Sequence, residues 1–401
     1  MTPDHAARFL WAAPFFAVGP VAALAPRSLL TVLLAACVLG LAVHAWRRRP
    51  FPRPPWRIAV AFGFFTAYAG LSASWSLIPG STISQFFKLI YLLGAAVLCA
   101  AMLSKAPETI RRSASRALVA GALLGVALLL LDTAAGYPML RALHGADESG
   151  YAGDPAVNRS MVAVATLIWP AALALALIAG PSWSLALRIG YLGLSAFTTS
   201  QSASFGIAAG LLAYAIACVS VRTARYLAFA ALLVGLAGTV PIARLAYSAG
   251  LSEIGWLQES ARHRIEVWNF AAERAMRRPI LGFGLDSSRA VPNEGNVSKF
   301  KSWTDRVIPL HTHSVFLQLW LELGAVGAAL GFLVGASLLR AARALGDASQ
   351  RFVLAAFMCN LAIAAVTSFS MWQGWWASAL VVSALCLLPS VAAANKDKAS
   401  R

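Results

Sequence analysis

Charged residues are scarce in this sequence. They make up 12% of its 401 residues, whereas soluble domains carry about a quarter. Hydrophobic residues make up 59%, and they form runs of roughly 20 residues, the length that crosses a bilayer. These runs are apolar on every face, as over 117–131, while strands of a membrane β-barrel alternate in segments of about ten residues. An ordinary soluble enzyme and a β-barrel are therefore excluded, and the predicted fold class is an all-α polytopic membrane protein.

Cysteines are few and show no functional spacing. The five cysteines lie inside apolar stretches, away from histidine clusters, so neither a disulfide framework nor a zinc site is indicated. The formal net charge is +17, but Lys and Arg retain the cytoplasmic loops of membrane proteins. The charge therefore gives no reason to expect nucleic acid as a partner, and the lipid bilayer is the expected one.

Twelve apolar runs predict membrane-spanning helices. They lie at 9–25, 28–46, 57–77, 83–103, 117–136, 158–179, 184–200, 202–220, 226–246, 313–340, 351–370 and 372–392. The short loops on one side are basic, at 46–57, 104–116, 220–226 and 340–351. Those on the other side lack Lys and Arg, at 78–82, 201 and 371. By the positive-inside rule the basic side is cytoplasmic, so both termini are predicted to be cytoplasmic.

One long extramembrane loop stands out on the face opposite to the cytoplasm. The predicted division of the chain is helices 1 to 9 over 1–246, this loop over 247–312, helices 10 to 12 over 313–392, and a cytoplasmic tail over 393–401. The loop is too small for a separate stable domain, so we expect it to cap the helices. Long loops in compact proteins are usually functional, and the chemistry is therefore sought there.

The first half of the loop has the pattern of an amphipathic helix. Arg264 lies one turn before Trp268, beside the apolar stripe, while Arg262 points elsewhere. Any single charged residue here could be explained without a ligand, by an ion pair with a residue four positions away, such as Glu273 with Arg277. The stripe consists of Ile254, Leu257, Ala261, Ile265, Trp268, Ala272 and Met276.

The basic residues of the loop, taken together, predict an anionic ligand. The loop carries nine Lys and Arg, including Arg289 and Arg306, against seven Asp and Glu, and guanidinium groups suit bidentate phosphate binding. Arg159 lies at a helix N-terminus, where the helix dipole favours a bound anion. Lys88 lies within a predicted span, where a cation must snorkel or find a partner.

Two of the six histidines, His311 and His313, stand where the loop enters a span. Histidine is the side chain best suited to take a proton near neutral pH. A His-x-His pair can also bind a metal, but Glu322 would lie on the opposite helix face, about 13 Å from His313. No metal site is therefore predicted. A small-residue packing face is predicted farther along the same helix, at Gly324, Gly327, Gly331 and Gly335.

These motifs resemble those of a known family. His313-Ser314, followed after nine residues by Gly324-x-x-Gly327, resembles the signature of bacterial O-antigen ligases and the related O-antigen polymerases, in which Asn, Ser or Gln follows the histidine. Upstream, Arg264-x-x-x-Trp268 and then Pro279-x-Leu281-Gly282-x-Gly284 are similar to the family's Arg, Trp and Gly-rich stretch.

A third segment, Thr199-Ser200-Gln201-Ser202, resembles another recurring one, in which many members have Arg where this chain has Gln201. That departure weakens any binding role for position 201. The number of spans and the single large loop agree with the family as well, so the resemblance covers most of the chain.

The resemblance implies a GT-C-like membrane glycosyltransferase that uses a lipid-linked donor. Such a ligase transfers O-antigen polysaccharide from undecaprenyl diphosphate to lipid A–core oligosaccharide, at the periplasmic face of the bacterial inner membrane. It works without a metal or other cofactor and inverts the anomeric centre. In this chain His313 would be the general base. The diphosphate would be bound by Arg264, Arg159, Arg289, Arg306 and Lys88, with support from His311, Arg262 and Trp268.

Other functions remain open. An O-antigen polymerase uses the same donor chemistry but extends another lipid-linked glycan, and the His-Ser-x9-Gly-x-x-Gly spacing favours the ligase. A protein O-oligosaccharyltransferase would be expected to carry an extra carboxy-terminal region. A transporter or flippase of lipid-linked glycans would show internal repeats and polar residues at mid-membrane, and the sequence has neither a repeat nor a buried carboxylate pair.

Overall fold

The computed structural model describes residues 3–46, 56–144, 155–198, 200–296, 298–300, 306–367 and 369–399. The chain is all-α over these residues, which confirms the predicted fold class. The helices are α1 (Pro3–Leu24), α2 (Leu29–Trp46), α3 (Trp56–Leu71), α4 (Pro79–Ser104), α5 (Glu108–Ala134), α6 (Pro138–His144), α7 (Pro155–Ala179), α8 (Pro181–Ala196), α9 (Gln201–Val219), α10 (Val221–Ala237), α11 (Thr239–Ser248), α12 (Glu259–Ala275), α13 (Val315–Ala342), α14 (Asp347–Ala365) and α15 (Gly374–Ala399).

The protein is a multi-pass membrane protein, although fewer helices reach spanning length than predicted. Nine helices of the described residues are long and apolar enough to cross a bilayer, and the bent pair α10 and α11 makes a tenth if it counts as one span. The predicted spans 57–77 and 184–200 fall on α3 and α8, which have 16 residues each. These are shorter than the roughly 20 residues that a span needs. Over the described residues all twelve apolar runs form helices, and nine or ten spans reach full length by this measure.

The predicted span 226–246 is broken. Its two halves, α10 and α11, meet at 67°, with Gly238 between them. Trp320 of α13 donates its indole N–H to the carbonyl of Leu236 at 2.5 Å. Because a carbonyl near a helix break has lost its partner within the helix, the indole provides a replacement from a neighbouring helix.

The core of the bundle is formed around α7. Every side chain of this helix from 160 to 175 is buried, as expected for a run that is hydrophobic on all faces. Helices α1, α5, α8, α14 and α15 pack around it. α1 and α5 approach closely because Gly19 faces Gly121, where an added Cβ would overlap the opposite backbone.

The glycine-rich segment 279–284 crosses a break in α13. The break is at Gly324, whose φ of +63° and ψ of −162° are not helical. Phe283 donates its N–H to the carbonyl of Leu321 at 3.0 Å, and Ala325 donates its N–H to the carbonyl of Pro279 at 2.8 Å. Backbone groups that the break would leave without partners are thus bonded to the loop. Gly324 was predicted to belong to the packing face of this helix. It interrupts the helix instead.

Replacing Gly324 should destabilise the protein. A Cβ at this position would overlap the carbonyl of Ile280, and the residue would have to keep a positive φ. We expect Gly324→Ala to lower the free energy of unfolding by about 2 kcal/mol or more. The matched control is Gly190→Ala within α8, where an added Cβ meets no heavy atom within 4 Å, and where the change should be neutral or slightly stabilising. Thermal unfolding in detergent measures both, and equal midpoints would contradict the expectation.

The loop between α11 and α13 folds over α12, and this changes which side of α12 is buried. Glu266 and Arg274 are buried, although the predicted stripe excluded them. Glu266 accepts a hydrogen bond from Ser298 at 2.6 Å, and Arg274 pairs with Glu294 at 2.8 Å. Later parts of the loop therefore bring polar partners to this side of the helix.

Two further details of the predicted helix, its bounds and one ion pair, were wrong. Ile254 and Leu257 precede α12, and Met276 follows it and is exposed. The suggested pair of Glu273 with Arg277 is replaced, because Arg277 pairs with Glu294. A rule based on spacing within one helix cannot predict a partner 17 residues away.

Candidate functional site

Three imidazole rings meet just ahead of α13. The ring centroid of His313 lies 4.5 Å from that of His311 and 6.2 Å from that of His263. His263 belongs to α12, so the cluster joins the loop helix to the entry of α13. His311 and His313 were predicted, whereas His263 was missed. The available signal was its position between Arg262 and Arg264, inside the basic stretch of the loop.

His313 is held in its neutral form. Burial lowers the pKa of His313 well below its usual range, and the charges of His311, Arg264 and His263 lower this pKa further, in that order. A hydrogen bond with the backbone of Thr367 opposes the shift. The ring therefore stays neutral at physiological pH, in the form that can accept a proton.

Arg264 supplies positive charge beside this neutral ring. Burial lowers the pKa of Arg264, but a guanidinium remains protonated in proteins at neutral pH. A poorly hydrated guanidinium favours a bidentate anion such as phosphate. The combination of a neutral imidazole and a desolvated cation can serve proton removal and anion binding at one place.

The N-termini of α7 and α9 meet near this cluster. Ser200, which precedes α9, donates its hydroxyl to the side-chain oxygen of Asn158 in the first turn of α7, at 2.5 Å. Arg159 is the next residue of α7 and is half-buried. Thr199 lies outside the described residues. Two helix N-termini and a guanidinium thus share one region, which favours an anion.

The start of α9 also connects to α12 and to the segment between α14 and α15. Gln201 donates its amide to the side chain of Gln258, the residue before α12. Ser202 donates its hydroxyl to the carbonyl of Val366 at 3.0 Å. The neighbouring Thr367 is the residue whose backbone interacts with His313. Direct contacts therefore link the starts of α7, α9 and α12 to the histidine cluster.

Arg289 and Lys88 are grouped around α4. Arg289 pairs with Asp286 at 2.6 Å. The same carboxylate accepts hydrogen bonds from Ser81 at 2.5 Å and Gln85 at 3.4 Å, both on α4. Lys88 is one turn farther along α4 and lines an open groove. Arg289 therefore forms its ion pair at the place where the loop contacts α4.

The remaining predicted site residues contact the loop or the helices around it. Arg306 donates to the carbonyl of Val291 at 2.7 Å. The guanidinium of Arg262 lies over the ring of Phe300, 5.4 Å from its centroid. Trp268 packs in a cluster with residues of α11 and α13. These contacts hold the loop together or attach it to the neighbouring helices.

Glu322 is a buried carboxylate within α13, and its place in the span was not predicted to have a role. It accepts hydrogen bonds from the N–H of Asp286 at 2.7 Å, from Ser288, from Gln318 at 3.0 Å and from Trp372 at 2.5 Å. The carboxylate therefore joins the loop, α13 and the segment before α15. An acidic residue inside an apolar span is itself a signal of a specific role, and it could have identified Glu322.

Comparison with known proteins locates the similarity in this part of the chain. Residues 189–332 match the family model described as O-antigen ligase. The chain is 31% identical over 143 residues to a protein of Rickettsia conorii and 32% identical over 145 residues to one of Rickettsia felis, both provisionally named polysaccharide ligases. Each alignment covers 34% of this chain and 35% of the relative. The chain thus matches about a third of the length of these relatives, and the segment matched by the family model includes Arg264 and His313.

Proposed function

Because residues 189–332 carry the O-antigen ligase family region, we propose that this membrane protein transfers a polysaccharide from a lipid diphosphate to a lipid-anchored acceptor. The specific donor is O-antigen on undecaprenyl diphosphate, and the specific acceptor is lipid A–core oligosaccharide. The reaction occurs at the periplasmic face of the bacterial inner membrane. The observation that carries the proposal is the cluster of His313 with His311 and His263 ahead of α13, with the charge of Arg264 acting on His313.

A sugar diphosphate already contains a good leaving group. The protein therefore has two tasks, which are to deprotonate the acceptor hydroxyl and to stabilise the departing diphosphate. His313 takes the proton from the acceptor hydroxyl as general base. The acceptor oxygen forms a bond to the anomeric carbon from the face opposite the diphosphate, and the bond from that carbon to the diphosphate oxygen breaks. The anomeric centre is inverted, and the diphosphate leaves with the bonding electron pair.

The departing diphosphate requires positive charge. Arg264 and Arg159 supply it in this proposal, together with the N-termini of α7 and α9. Arg289 pairs with Asp286, and Arg306 donates to the Val291 carbonyl; in this proposal both shape the loop. Fixed guanidinium groups thereby do the work that a divalent cation does in many soluble transferases.

The pH dependence of the reaction should depend on His263. His263→Gln removes one of the charges that lower the pKa of His313, so this pKa should rise. Because the base must be unprotonated, the acidic limb of the kcat/KM profile should move to higher pH. The wild-type protein should remain active near pH 6, where a histidine with an ordinary pKa of about 6.5 is mostly protonated. A profile of kcat/KM against pH measures the position of the acidic limb in the variant and the activity of the wild type near pH 6. His44→Gln is the control. An unchanged limb, or one at lower pH, would count against the role of His263.

Ligation with purified protein tests the function itself. The assay contains lipid A–core and an undecaprenyl-diphosphate glycan, and each substrate is omitted in turn. We expect product only when both are present, and we expect it to persist in excess EDTA. A polymerase would extend glycans without lipid A–core, and a flippase would form no new bond. Activity that requires an added metal would overturn the role given to the arginines.

A further inference from the structure

A groove that is open to the surface lies between α2, α4 and α15. Most of its walls are apolar and include Leu89, Leu92 and Trp372. Tyr91, which lines it, is exposed, as is the neighbouring Phe87 on the surface of α4. Exposed apolar side chains on a membrane-spanning helix face lipid, so the groove borders the bilayer.

Three features of the groove favour an anion. Lys88 is exposed in the tenth position of the spanning helix α4, and none of the ion pairs found among the described residues includes it. Such a cation is costly within a span unless it snorkels or has a partner. Ser378 is fully buried in the wall, and its hydroxyl has no hydrogen-bond partner within the described residues. Gly374, also in the wall, begins α15, and a helix N-terminus attracts negative charge.

The occupant that fits these features is the phosphate of an amphiphile. Apolar walls next to the bilayer suit acyl chains, and Lys88 with the hydroxyl of Ser378 suits a phosphate group. Arg289 lies near the groove, since its partner Asp286 also accepts a hydrogen bond from Gln85 in the groove wall. The ion pair of Arg289 with Asp286 is thus close to the groove.

A short segment connects this groove to the histidine cluster. Between α14 and α15, the backbone of Thr367 interacts with His313, while Met371 and Trp372 line the groove. The described residues that line the groove include neither Arg264 nor Arg159. The groove and the histidine cluster therefore lie at opposite ends of one short segment.

We propose that the Lys88 groove binds a phosphate on the lipid part of the acceptor. This inference rests on the proposed function, in which donor and acceptor are both amphiphiles and must be bound at the same time with their chains in lipid. The donor diphosphate has to lie beside His313, because the bond to it breaks there. A second phosphorylated lipid then needs a separate groove that borders the bilayer, and the Lys88 groove meets that need.

Steady-state kinetics with Lys88→Gln test the assignment. We expect the KM for the phosphorylated acceptor to rise about tenfold, as for loss of one charge-assisted contact, with kcat and the KM for the donor unchanged. The matched control is Lys105→Gln, an exposed lysine at the other end of α4, which should leave all constants unchanged. With a dephosphorylated acceptor, wild type and Lys88→Gln should have the same KM. A rise in the donor KM, or an equal effect with the dephosphorylated acceptor, would overturn the proposal.

Direct binding separates this proposal from the proposed function. Wild type and Lys88→Gln are placed in nanodiscs of neutral phospholipid, and binding of phosphorylated lipid A–core is measured without donor. We expect the variant to bind about tenfold more weakly. If the substitution weakens binding of phosphatidylglycerol but not of the acceptor, the groove is a general lipid site and the proposal fails. If the wild type binds the acceptor through Lys88 but forms no product, the proposed function fails while the groove assignment stands.

Discussion

His313→Ala is expected to lower the rate of ligation by a factor of about 10²–10⁴, the usual contribution of a general base. The expectation follows from the pKa of His313, which burial and the neighbouring charges hold below its usual range, so that the ring can accept a proton at neutral pH. Alanine can neither take that proton nor replace the ring. Single-turnover ligation with purified protein, at saturating donor and acceptor, measures the chemical step directly.

The controls for this prediction concern folding and substrate binding. The Nδ1 atom of His313 is buried without a hydrogen-bond partner among the described residues, and the ring's hydrogen bond with the Thr367 backbone contributes only about 1 kcal/mol. We therefore expect an unfolding midpoint close to that of the wild type and unchanged donor binding. His44→Ala, at the end of α2, serves as the matched histidine substitution and should retain full activity. Wild-type ligation by His313→Ala would remove His313 from the mechanism.

The helices could be predicted from the sequence because the bilayer imposes a simple rule. Apolar runs of spanning length must be helical, since unpaired backbone groups are costly in lipid. The bend between α10 and α11 could not be predicted, because it involves a hydrogen bond from Trp320 to Leu236, 84 residues away. The break at Gly324 likewise requires the distant segment 279–284. Local periodicity contains no information about such partners.

Part of the candidate site could likewise be predicted from the sequence, and part required the fold. The sequence singled out His313 and Arg264 because both lie in recognisable motifs, and the two residues do interact. It could not separate Lys88 from the other cations, because charge alone does not tell which groove a residue lines. His263 was missed because its relation to His313 depends on how α12 folds back towards α13. Residue type and spacing thus indicated the chemistry, while the grouping of the cations required the fold.

Glu322→Ala is expected to destabilise the protein by roughly 4 kcal/mol or more, because each buried donor left without an acceptor costs about 1–3 kcal/mol. One oxygen of Glu322 accepts from the backbone and hydroxyl of Ser288 and from Gln318, and the other accepts from Asp286 and Trp372. Alanine leaves all of these groups without their acceptor. Unfolding by denaturant in detergent micelles measures the loss.

The comparison with Glu322→Gln tests whether hydrogen bonding, and not packing, carries this effect. Glutamine keeps the shape, but its NH₂ group must face at least two of the donors, so we expect a loss smaller than that of alanine but clearly measurable. Glu259→Gln, exposed at the start of α12, should be neutral. Because Asp286 holds Arg289 and contacts α4, loss of Glu322 should also raise the KM for the acceptor if the Lys88 groove binds it. Equal stability of Glu322→Gln and wild type would mean that the donors around Glu322 do not need a carboxylate.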